Sequence, residues 1–157
     1  MKQIIKLLSV ITLVCILAGT ALAVDLDTLD KVSVLMPQAK VQSLLGSPEE
    51  VLTLGNGLSA DIYKVSDAEP LIGTGCIYQD NQKLVAQAFI FKGIINRDAA
   101  ARLVHHGYRV LEESGEVFKL TGKDDDSGQP LLASITLEND MTIIMTFEKG
   151  FYECWAK

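Results

Sequence analysis

The chain has 157 residues, of which 48% are hydrophobic and 22% charged, with 20 acidic against 14 basic side chains and a net charge of −6. That length allows one compact body or two small units sharing a core, and excludes an array of large domains. An acidic chain is repelled by phosphate backbones, which excludes general nucleic-acid binding and disfavours anionic membrane surfaces.

The first 23 residues, MKQIIKLLSVITLVCILAGTALA, place Lys2 and Lys6 before an apolar run and end in Ala21, Leu22 and Ala23. This is the pattern of a secretory signal peptide cut after Ala23. The apolar run is nearly long enough to cross a bilayer. The Ala-x-Ala end and the acidic VDLD behind it suit a peptidase site, so no stable membrane anchor is expected after cleavage. Cys15 follows Leu13 and Val14 and not a small residue, which argues against a lipobox. The expected address is periplasmic or extracellular, where disulfides persist.

After a short leader from Val24 to Leu35, MPQAKVQSLLGSP reads as a helix. Pro37 suits its first turn, Val41, Leu44 and Leu45 share a face, and Gly46 and Pro48 end it. Four strand-like runs follow, EEVLTL, LSADIYKV, LIGTGCIYQ and KLVAQAFIF, separated by turn chemistry in GNG, SDAEP and DNQ. The order then repeats. NRDAAARLVHHG reads as a second helix, with Asn96 as N-cap and Gly107 as its stop, and YRVLEE, EVFKLTG, PLLASITLE and MTIIMTFEK as four more strands. The expected fold is α+β: a tandem of two helix-plus-four-stranded antiparallel sheet units, residues 24–95 and 96–157, with helices on one face.

Period-two alternation assigns faces. Met141, Ile143, Met145 and Phe147 read as core, as do Leu131, Ala133, Ile135 and Leu137 in the preceding strand, and Phe118 and Leu120. The opposite, free face then holds Thr142, Ser134, Thr136, Lys119 and Thr121, and in the first half Asp61, Tyr63, Thr74, Tyr78, Ala86 and Ala88. Such a face is a candidate platform for a partner, with Tyr63 and Tyr78 as anchors and Lys119, Thr121, Ser134, Thr136 and Thr142 as polar surrounds. The plainer alternative is a solvated sheet, because threonine is simply a good strand residue.

The run VLMPQAKVQSLLGSP resembles the helix and turn that open the SmpA/OmlA (BamE-like) outer-membrane assembly family. Met36, Val41, Leu44, Leu45, Gly46 and Pro48 carry the similarity, which covers about residues 33–93, and DIYKV stands where that family has a short strand ending in Tyr. Two such units in tandem look like the architecture of β-lactamase inhibitory protein, a resemblance of element order and not of motif residues. The tandem resemblance implies a non-catalytic, protein-binding module. The lipobox of an assembly lipoprotein is missing, and nothing matches an inhibitor's contact residues.

Candidate chemistry is sparse, and no catalytic residue, cofactor site or metal site is expected. GKDDDSGQP, residues 122–130, fails as an EF-hand loop, because counting from Asp124 the fifth position is Gly128 and the twelfth Ile135. A looser calcium site using Asp124 and Asp126 competes with a solvated hairpin tip, the favoured reading. His105 and His106 are adjacent on a helix end and cannot share one metal as an i, i+4 pair could. Glu112, Glu113 and Glu116 cluster near a turn, either as a carboxylate pair for acid–base work or as solvated strand ends. Cys76 and Cys154 form a candidate disulfide, with a buried free thiol plus an exposed one as the alternative. Phe151, Tyr152 and Trp155 are expected to tie the tail onto the sheet. The functional expectation is binding of an envelope or secreted protein without catalysis. The alternative is carriage of a small molecule or lipid in the cleft between the two units.

Overall fold

The computed structural model describes residues 24–65, 70–94, 96–115, 117–138 and 140–155; the signal segment predicted for residues 1–23 lies outside them. The strands are β1 (Glu50–Gly55), β2 (Leu58–Lys64), β3 (Leu71–Gln79), β4 (Leu84–Lys92), β5 (Arg109–Ser114), β6 (Val117–Lys123), β7 (Pro130–Glu138) and β8 (Met141–Glu148). The helices are α1 (Leu26–Leu29), α2 (Gln38–Leu45), α3 (Asn96–His105) and α4 (Lys149–Trp155).

Local chemistry explains the boundaries. Asp25 caps α1 by accepting from the Thr28 N–H at 2.8 Å. Gly46, at φ +82°, ends α2, and its N–H donates to the Gln42 carbonyl at 2.9 Å. Between β1 and β2, Asn56 and Gly57 both take positive φ, as a two-residue type I′ hairpin requires. Gly107, at φ +88°, ends α3, and the next N–H, that of Tyr108, returns to the Leu103 carbonyl at 3.0 Å.

The expectation of two helix-plus-four-strand units is corrected by the pairing of β4 with β8, in register from Ala86↔Phe147 to Lys92↔Met141. The result is one eight-stranded antiparallel sheet in the order β1-β2-β3-β4-β8-β7-β6-β5, and the chain is mostly sheet. The physical reason is edge removal. In two separate sheets, β4 and β8 would each expose an unpaired, largely apolar edge, whereas pairing them satisfies both backbones.

The register also corrects the faces. Leu132 pairs with Phe147, Ala133 with Thr146 and Ile135 with Ile144. The apolar sets of β7 and β8, both assigned to one core, therefore lie on opposite sides of the sheet. One side, the helix face, carries α1, α2 and α3. Val41 and Leu45 of α2 pack there on Tyr63, Cys76 and Tyr78 of the sheet, and Ala99 and Ala100 of α3 pack on Phe118, Leu120 and Ile135. Phe89 and Phe91 join these two clusters. The far face buries Ile62, Ile77, Ile90, Ile143, Met145 and Phe147, and Phe151, Tyr152 and Trp155 of α4 pack against it. Both sides of the central strands are apolar, so alternation within a single strand does not distinguish them.

Candidate functional site

The seven residues expected to form one binding face divide between two. Tyr63, Tyr78 and Thr142 belong to the helix face and are at most 2% exposed, so they are not surface anchors. Thr142 donates to the Ile94 carbonyl and to Asn96 Oδ1, the latter at 2.9 Å, and so pins the start of α3. Lys119, Thr121, Ser134 and Thr136 lie on the far face, in the half built from β5 to β8.

Around the tyrosines the helix face is polar inside an apolar surround. Asp61 is buried, and its carboxylate accepts from Gln38 Nε2 at 3.1 Å and Gln42 Nε2 at 2.8 Å. Gln38 and Gln42 stand one helical turn apart on α2, so both amides reach the same carboxylate. Among the described residues, the Tyr63 and Tyr78 hydroxyls are buried without a hydrogen-bond partner of good geometry, and Asp61 and Cys76 are their polar neighbours. Burial, and then the nearby Asp61 and Cys76 groups, push both phenols above their ordinary range. Burial first and the Asp61 charge second push the Cys76 thiol up to about 12. A thiol held protonated in this way is not an activated nucleophile.

Cys76 and Cys154 are both free thiols, which corrects the candidate disulfide. Cys76 is buried beneath α2 on the helix face, whereas Cys154 is exposed on α4, beyond the far face. The sheet itself separates them, and a disulfide needs Cα atoms about 4.4–6.8 Å apart.

The acid–base and metal candidates also disperse. Glu112 pairs with Lys119 on the far face at 2.6 Å, whereas Glu113 pairs with Arg97 of α3 on the helix face at 3.4 Å. A bulge in β5 between Val110 and Glu112 accompanies this split, and Glu116 lies outside the described residues. The rings of His105 and His106 meet edge-on, with centroids 5.7 Å apart, and do not converge on a common point. Among the described residues no group of three or more His, Cys, Asp or Glu side chains is placed to hold a metal ion.

The aspartate run closes the β6–β7 hairpin. Asp124 accepts from the Ser127 N–H at 2.8 Å and the Ser127 hydroxyl at 2.7 Å, an Asx-type turn. It also accepts from the Ser33 hydroxyl at 2.8 Å and the Val34 N–H at 3.4 Å, tying the tip to the leader. Burial works against this carboxylate, but the hydrogen bonds from Ser127, Ser33 and Val34 outweigh it and hold Asp124 below the ordinary aspartate range.

Concavities on both faces are candidate sites. On the far face, a pocket of about 180 Å³ opens among Leu111, Lys119, Leu132, Ser134, Phe147 and Tyr152. Its floor is apolar, and the Lys119–Glu112 ion pair stands at its margin. Leu111 beside it is 60% exposed on β5, an edge strand with one hydrogen-bonded neighbour. On the helix face, a cleft of about 260 Å³ separates the leader from the end of α3, with Gln87 and Phe89 on its floor and Tyr108 in its wall. Sequence reasoning did not single out Gln87 and Tyr108, which line this cleft. Their signal, a glutamine amid the apolar run LVAQAFIF and a tyrosine directly after a helix-stopping glycine, is indistinguishable from ordinary strand and turn composition.

Among the described residues no helix is long and apolar enough to cross a membrane. In comparisons with protein-family models, curated proteins and solved structures, the chain matches none, so geometry and chemistry carry the functional argument.

Proposed function

We propose that this chain is an exported, non-catalytic protein-binding module of the cell envelope, of adaptor or inhibitor type, whose partner seats on the far face beside β5. The observation that carries this reading is the apolar pocket between β6, β7, β8 and α4, flanked by the exposed Leu111. A pocket of that kind accepts one apolar anchor from a partner, and the Lys119–Glu112 pair supplies a polar rim. Among the described residues β5 is an edge strand, and its outer backbone N–H and C=O groups offer a row of partners to an incoming strand. Tyr63 and Tyr78 take no part in this site. The sequence resemblance to the SmpA/OmlA family and the signal-like N-terminus support the envelope setting.

Crosslinking of the tagged chain in its own host, followed by affinity capture, tests the reading. Leu111→Glu and Tyr152→Ala are expected to weaken capture of a recurrent envelope protein by about ten-fold or more, the size of a typical anchor loss. Val51→Glu, on the other edge strand, is expected to leave capture unchanged. Equal capture by all three variants would overturn the assignment.

A further inference from the structure

The far-face pocket carries a detail that a purely apolar anchor site does not require. Ser134 lines it, is only 8% exposed, and makes no side-chain hydrogen bond among the described residues. Among those residues, the side-chain atoms that are both sealed from solvent and unpartnered belong to Glu49, Tyr63, Tyr78 and Thr136. The Ser134 hydroxyl therefore lacks a partner yet stays reachable from the pocket it lines.

The rest of the wall is apolar and aromatic. Leu132, Ala133 and Phe147 come from β7 and β8, Tyr152 from α4 and Leu111 from β5. Tyr152 already meets Phe147 edge-on, with centroids 5.2 Å apart, so a further ring entering here extends an aromatic pair. The volume of about 180 Å³ fits one ring and little more, since an apolar cavity of roughly 150 Å³ holds a benzene molecule. Charge at the margin selects further. Lys119 and Glu112 neutralise each other at 2.6 Å, which disfavours a carboxylate or an ammonium and leaves a neutral guest. Among neutral rings, a plain phenyl would cover the Ser134 hydroxyl and strip it of water without replacing the bond, whereas a phenol supplies both a donor and an acceptor.

We infer that the pocket takes the side chain of a partner's tyrosine, its ring against Phe147, Tyr152 and Leu132 and its hydroxyl bonded to Ser134 Oγ. The inference rests on the far-face partner site proposed above and names the residue that the partner inserts there. Tyrosine suits such a role because its ring is rigid and amphipathic and is ordered at low entropy cost.

The test is an NMR titration of the protein with Nα-acetyl-tyrosinamide and with Nα-acetyl-phenylalaninamide, which differ by the hydroxyl alone. The expected result is saturable shifts at Ser134, Leu132 and Phe147, with the tyrosine compound bound about ten-fold more tightly. Ser134→Ala is expected to abolish that preference by weakening the tyrosine compound and leaving the phenylalanine compound unchanged, and the unchanged binding also shows that the variant is folded. The wild-type comparison stands even where that variant does not fold. p-Cresol, the same phenol without a backbone, separates the sources: p-cresol bound while the tyrosine compound is excluded would assign a free phenol and overturn the tyrosine anchor. Equal affinity for the two amides, a preference that survives Ser134→Ala, or shifts that do not saturate would overturn it as well. The two readings fail separately. Loss of the tyrosine preference with capture still weakened by Leu111→Glu strikes the anchor alone, whereas capture insensitive to Leu111→Glu strikes the partner face and the anchor with it.

Discussion

Asp124 shows how one side chain can resemble a metal ligand and act as a clasp. Two of its four hydrogen bonds close the β6–β7 tip on Ser127, and the other two join that tip to the leader at Ser33 and Val34, some 90 residues away in sequence. Asp124→Ala removes a charged acceptor from several donors at once. It is expected to lower stability by about 1–3 kcal/mol, read as a shift in the denaturant midpoint. The pH dependence has a definite sign. The folded Asp124 carboxyl titrates below its ordinary range, so its contribution is present above the unfolded pKa of about 3.9 and is lost as pH falls through the folded value. Wild type is therefore expected to lose more stability on acidification below about pH 4 than Asp124→Asn does. An identical acid dependence of the two midpoints would contradict this. The aspartate's place at a hairpin tip was legible in GKDDDSGQP, but its long-range partners were not, because Ser33 and Val34 carry no local signal for a contact so distant in the chain.

At the scale of elements, the two short helices absent from the sequence reading, α1 and α4, are held by caps and tertiary contacts. An isolated helix of four or seven residues cannot offset its nucleation cost. For α4 the missing stabilisation comes from Glu148, which accepts from the Gly150 N–H at 2.9 Å, and from ring contacts to Phe147. The aromatic tail was expected to dock on the sheet, and Tyr152 and Trp155 do so at centroid distances of 5.2 and 6.3 Å from Phe147. The turn after α3 depends in the same way on one fit. Tyr108 lies over Gly122 of β6, where a Cβ would overlap its ring. Gly122→Ala is expected to displace Tyr108 at a cost of about 1–3 kcal/mol. The measurements are the denaturant midpoint and the Tyr108 ring shifts, and an unmoved ring would show that the backbone yields instead.

At the scale of the molecule, the seam between β4 and β8 makes one sheet of two similar halves. Ala88↔Met145 and Ile90↔Ile143 meet on the far face and Phe89↔Ile144 on the helix face, so the seam is apolar on both sides. Unfolding is therefore expected as one cooperative transition, with Trp155 fluorescence and far-UV circular dichroism giving coincident curves. Two separated transitions would mean that the halves unfold as independent units. The order of strands, the main helices and the turns were legible in the sequence, because hydrophobic period, Gly and Pro stops and Asn-Gly turn chemistry act over a few residues. The proposed binding face was not. In β7 and β8 the apolar residues satisfy either side of a sheet that is buried on both, and only the cross-strand register, Leu132 against Phe147 and Ile135 against Ile144, places them. Thr142 passed from surface to interior with that register, Tyr63 and Tyr78 did so because α1 and α2 cover their side of the sheet, and Lys119 and Ser134 came to border a pocket whose other wall is α4. Local chemistry is written within a few residues, whereas register and docking are decided by which distant edges and faces must be satisfied together, and that choice exists only in the folded chain.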